Sequence, residues 1–179
     1  RLSLAIADAQ YAARALFERT GLDPAIVEQV QPSLDRLGRV YRSWDDYVAL
    51  VRSMPYFDEG GWDSEVEGYF RADVRVRPDG TVQARCRPEH IAEVIQGELA
   101  VDWMALAARI TQPTLLLRAP GSFGPPGSPP LLSREDADRT AAAMVDCRVV
   151  DGIGNHLTFV FGSGAQVLTS AIAGFLAEA

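Results

Sequence analysis

Asp151-Gly152-Ile153-Gly154-Asn155-His156 is the stretch that decides the reading of this 179-residue chain. It follows the apolar run Cys147-Arg148-Val149-Val150 and precedes a helical pattern from Ala165 to Leu176. A strand, a glycine-flexed loop and a helix in that order present His156 at a strand end, where a general base is often mounted. A base needs a nucleophile to serve, and the 179 residues offer no convincing one. Ser122, Ser128 and Ser163 each adjoin glycine, but none has the strand, sharp turn and helix of a Gly-x-Ser-x-Gly elbow. Gly162-Ser163-Gly164 reads instead as a turn entering the last helix.

Working outward from the histidine, Thr114-Leu115-Leu116-Leu117-Arg118 is a continuous apolar strand of the kind buried on both faces of a parallel sheet. The loop Ala119 to Pro130 is dense in glycine and proline, and Ser133 caps a helix predicted over Arg134 to Met144, with Asp136 at its third position. This βαβα order implies two parallel strands joined by a right-handed crossover. Two strands cannot bury their own faces, so the remaining strands are expected from elsewhere.

The first hundred residues read differently. Leu2-Ser3-Leu4-Ala5-Ile6-Ala7-Asp8 fits a buried strand ending in an aspartate, and Leu2, Ile6, Ala9, Ala13, Leu16 and Phe17 fit a helical stripe equally well. From Ala9 to about Met54 the pattern is helical, with Asp23-Pro24, Pro32-Ser33 and Ser43 as helix openings. A hairpin is predicted over Asp73 to Arg85 around Pro78-Asp79-Gly80, since Asp-Gly tolerates the positive φ of a tight turn. Pro88 to Arg109 returns to helical spacing, with Ile91, Val94, Ile95, Leu99, Trp103, Met104 and Leu106 on the apolar side.

Composition narrows the function classes. An apolar fraction of 47% supports a packed globular core. The 24 acidic and 17 basic residues give a net charge of -7 without a basic patch, which argues against nucleic acid as a partner. Cys86 and Cys147 have no Cys-x-x-Cys spacing for zinc or redox work and read as free thiols in a reducing, cytoplasmic compartment. No apolar run reaches the ~20 residues of a membrane span, and no leader pattern opens the chain. The first residue is arginine, so the original start is expected upstream. Gly121 to Gly127 is no phosphate loop, because no lysine follows and no helix begins there. His90, beside Pro88-Glu89, reads as a solvated residue in a first helical turn.

Ile110 to Arg118, Gly152-Ile153-Gly154-Asn155-His156 and the closing helix to Phe175-Leu176 together resemble the C-terminal half of the α/β-hydrolase superfamily. The resemblance implies an α/β fold in which residues 1–8 are a candidate core strand, 9–109 a mainly helical cap containing a short β-hairpin, and 110–179 the C-terminal lobe of the core. It implies that His156 is the general base, and that the nucleophile, the oxyanion-hole amides and the first strands lie upstream of Arg1. It implies no cofactor and no metal. The family usually carries its acid in the loop after the Pro-Thr-Leu-Leu-Leu strand, where Pro120 to Pro130 has neither Asp nor Glu. Some members carry it one strand earlier, which makes Asp8 the candidate acid.

Trp44, Tyr56, Phe57, Trp62 and Trp103 are the candidate substrate-binding residues, because ligand cavities are mostly apolar and aromatic; core packing of a small cap is the other reading of the same rings. The resulting expectation is a hydrolase of a small ester or related acyl bond that is inactive as this chain alone. The alternatives are a non-catalytic small-ligand-binding protein of the same fold, and a lobe whose sheet a partner chain completes.

Overall fold

The computed structural model describes residues 34–57, 61–124 and 127–178. Asp8 and the strand read at residues 2–7 lie outside these. The architecture is mixed helix and sheet, in two compact units. Among the described residues, one unit comprises 34–54 and 66–101, and the other 55–65 and 102–178. The short segment 55–65 belongs with the C-terminal residues, where the Tyr56 carbonyl and the Glu65 carboxylate accept hydrogen bonds from Asn155 and Gly162.

In the first unit, helical residues 34–38 lead to strand β1 (Val40–Tyr41), helix α1 (Trp44–Arg52), helix α2 (Ser64–Ala72, which begins in the segment 55–65), strands β2 (Val74–Val76) and β3 (Val82–Ala84), and helix α3 (Pro88–Leu99). The hairpin forms as its alternation predicted. Val76 pairs with Val82 and Val74 with Ala84, and the Asp79 carboxylate closes the turn by accepting from the Thr81 amide at 3.0 Å and hydroxyl at 2.7 Å. Gly80 takes φ 82° in that turn.

The helical reading of residues 9–54 needs a correction: Val40 and Tyr41 pair antiparallel with Gln83 and Val82, giving a three-stranded sheet in the order β1-β3-β2. Ser43 then caps α1 as expected, its hydroxyl accepting from the Asp46 amide at 3.2 Å. Tyr47, Val51, Val66 and Val82 are wholly buried and form the centre of this unit. Against them, the Arg36 guanidinium binds the Tyr47 hydroxyl and the Asp73 carboxylate, so a half-buried charge finds its partners inside the unit.

In the second unit, a 3-10 turn at Pro55–Phe57 is followed along the chain by helix α4 (Trp103–Ala107), strand β4 (Thr114–Arg118), helix α5 (Arg134–Ala143), strand β5 (Cys147–Asp151), a second 3-10 turn at Thr158–Val160 and helix α6 (Gly162–Glu178). Strands β4 and β5 are parallel, with Thr114 opposite Cys147 and Arg118 opposite Asp151. This is the crossover unit read from sequence. Ser133 caps α5 through the Asp136 amide at 3.0 Å and donates to the Asp136 carboxylate at 2.7 Å.

The helical spacing read over Pro88–Arg109 resolves into two helices. The first ends at Leu99, and Asp102 opens α4 by accepting from the Ala105 amide at 2.9 Å. Of the apolar side read there, Val94, Trp103, Met104 and Leu106 are exposed. The closing helix starts three residues before the predicted Ala165, with Gly162-Ser163-Gly164 as its first turn.

Candidate functional site

The two loops that leave the carboxyl ends of β4 and β5 are bonded to each other. The Gly152 amide donates to the Arg118 carbonyl at 2.8 Å, continuing the parallel ladder by one step, and the Gly121 amide donates to the Gly154 carbonyl at 2.9 Å. The contact at Gly121 is close enough that a Cβ there would stand 2.8 Å from the Gly154 and Asn155 backbone. Gly154 turns the chain at φ 91°, a conformation in which glycine escapes the usual side-chain clash. His156 follows two residues on, in the loop beyond β5.

The His156 imidazole is exposed and lies among aromatic rings. Phe123 meets it edge to face, with centroids 5.5 Å apart, and Phe159 lies nearly parallel to it at 6.2 Å. Desolvation by this surround lowers its pKa from the ordinary imidazole value and keeps the ring neutral to lower pH. Among the described residues, no carboxylate accepts a hydrogen bond from the ring. Asp151, the nearest acid in sequence, is committed elsewhere: its carboxylate binds the buried Arg118 guanidinium at 3.0 Å and Arg134 at 3.6 Å. Arg118 also donates from Nε to the Leu132 carbonyl at 2.9 Å, pinning the far end of the glycine and proline loop.

Asn155 ties this region to the turn at 55–57. Its side-chain amide donates to the Tyr56 carbonyl at 2.8 Å, while its oxygen accepts from the Leu157 and Thr158 amides, each at 3.0 Å. A cleft of about 390 Å³ opens beside it, lined among others by Tyr56, Asp63, Asn155, Thr158, Phe161 and Gly162. At one end of the cleft the α6 N-terminus already has an anionic partner, since the Gly162 amide reaches the Glu65 carboxylate at 3.5 Å.

Of the candidate substrate-binding residues, Tyr56, Phe57 and Trp62 come together in the C-terminal unit. Tyr56 and Phe57 are buried, and Trp62 packs edge-on against Phe57 at 5.1 Å. Trp103 stands on α4 in the same unit, more than half exposed. Trp44 belongs to the other unit, with the Arg71 guanidinium 4.2 Å above its ring. Phe123, Phe159 and the reach of Asn155 to Tyr56 were missed by sequence reasoning. A lone phenylalanine in an otherwise glycine and proline loop was the available signal for Phe123.

Among the described residues, no group of three His, Cys, Asp or Glu side chains is arranged to hold a metal ion, and no helix is long and apolar enough to cross a membrane. Cys86 and Cys147 are free thiols. No family model matches the chain, and neither a curated protein nor a solved structure proves similar to it.

Proposed function

We propose that residues 55–65 and 102–178 form the histidine-bearing lobe of an α/β-hydrolase that cleaves a small ester or related acyl bond. The observation that carries this reading is the bonded pair of loops at the carboxyl end of two parallel strands, with an exposed, desolvated histidine on the second loop. In open parallel sheets, ligands bind in the crevice outside that end of the strands. In this reading His156 takes the proton of a nucleophile supplied by a segment outside these 179 residues and returns it to the leaving group. Asp151 is occupied by two arginines, and the candidate acid read from sequence, Asp8, lies outside the described residues. Tyr56, Phe57 and Trp62 contribute an apolar wall, and residues 34–54 with 66–101 serve as a cap.

The half-buried state of Leu115, Leu116, Leu117, Val149 and Val150 also supports a sheet that continues beyond β4 and β5, because parallel strands are ordinarily covered on both faces. The test is ester hydrolysis by the full natural protein that contains this segment, with p-nitrophenyl esters of increasing chain length. His156→Ala is expected to lower kcat by at least about 10³-fold. Turnover that survives the substitution would remove His156 from the chemistry.

A non-catalytic lobe is the second reading, favoured by the His156 ring having no carboxylate partner among the described residues. It predicts no hydrolysis at all, and ester binding by calorimetry that His156→Ala leaves unchanged.

A further inference from the structure

The His156 ring lies against Phe123 and Phe159, with no hydrogen bond to it among the described residues, and Phe123 is linked to Asn155 through Tyr56. The Tyr56 ring stacks on Phe123 with centroids 5.2 Å apart and planes 18° from parallel, and Phe123 in turn abuts His156 at 5.5 Å. The Tyr56 backbone is the acceptor of the Asn155 side-chain amide. The path from Asn155 through Tyr56 and Phe123 to His156 therefore returns to the neighbouring residue and closes on itself.

We infer that Asn155 is a positioning residue that sets the orientation of the His156 imidazole by anchoring the Tyr56–Phe123 ring pair. The carboxamide suits this task because it uses both ends at once. Its two acceptor bonds shape the loop that carries His156, and its donor bond fetches the wall against which the ring rests. A residue with only an acceptor would shape the loop and leave the wall unanchored. Aromatic pairs hold a preferred tilt and separation, so a shift of Tyr56 is passed to Phe123 and from there to the imidazole.

The purpose of this arrangement rests on the hydrolase reading, but the arrangement itself is measurable without it. The probe is the proton and carbon signals of the two imidazoles by NMR, with His90, on α3 of the other unit, as the internal reference. Asn155→Ser keeps an acceptor for the local turn and loses the reach to Tyr56; Phe123→Leu removes the abutting ring; Tyr56→Leu keeps the carbonyl bond and removes the stack. All three are expected to move the His156 signals toward their unfolded positions while the His90 signals stay. Should Asn155→Ser fail to fold, Tyr56→Leu carries the same expectation.

His156 signals that stay put in a folded Asn155→Ser or Tyr56→Leu variant would overturn the proposal. Equal movement of the His90 signals would overturn it too, since the effect would then be global. In the full natural protein, Asn155→Ser is expected to lower kcat about 10- to 100-fold with KM little changed, as misplacing a base does. If the signals move and no ester is hydrolysed by any form, the function fails and the positioning stands.

Discussion

Gly154 shows most directly what one residue contributes. At φ 91° an added Cβ would be strained by the backbone and would also stand 2.6 Å from the Thr158 hydroxyl, which accepts from the Asn155 amide at 3.0 Å. Gly154→Ala is expected to destabilise the chain by about 1–3 kcal/mol, read from the urea midpoint. An unchanged midpoint would mean the loop takes another path. His156 gives a pH signature. Its folded pKa lies below the ordinary value of about 6.5, so as pH falls the unfolded chain takes up the proton first. Its contribution to stability is thus complete above about pH 6.5 and is lost as pH falls toward the folded pKa. The parent should lose more stability than His156→Gln between pH 7.5 and 5.5, and equal losses would contradict the shift. The placement of His156 at a strand end was legible, since glycines, an apolar run and a helix bracket it. The partner of Asn155 was not, because Tyr56 is 99 residues away and no local pattern encodes that bond.

Among the elements, those with caps and long apolar runs were the legible ones. Ser133 marks the start of α5, and Ser133→Ala should cost about 0.5–2 kcal/mol by leaving the Asp136 amide without its acceptor, measured by chemical denaturation. A loss below about 0.3 kcal/mol would show that Glu135 and Asp136 in the first turn suffice without the cap. β1 was illegible because two residues carry no periodicity, and it exists only because β3 offers an open side for Val40 and Tyr41. The interruption between α3 and α4 was hidden for another reason: Ala100, Val101 and Asp102 do not break helical spacing, and only the bond from Asp102 to the Ala105 amide reveals a new start. β4 and β5 were read correctly as parallel because a crossover helix of ten residues separates them.

At the scale of the whole molecule, the buried apolar residues are unevenly shared. Tyr47, Val51, Val66, Phe70, Val74 and Val82 belong to the first unit, whereas the apolar residues of β4 and β5 are only half buried. Amide hydrogen exchange should therefore be slower in β3 and α1 than in β4 and β5; the reverse order would indicate that the parallel pair is covered by residues not described. The units also interleave along the chain, with 55–65 belonging to the later one. A ribosome adds about 5–20 residues per second, so Tyr56 is made about 5–20 s before Asn155. During that interval the first unit can mature while Tyr56 and Phe57 remain without their destined neighbours. The newborn chain thus carries two rings that wait for their neighbours, a cost of stitching the loop of His156 to a turn synthesised so much earlier.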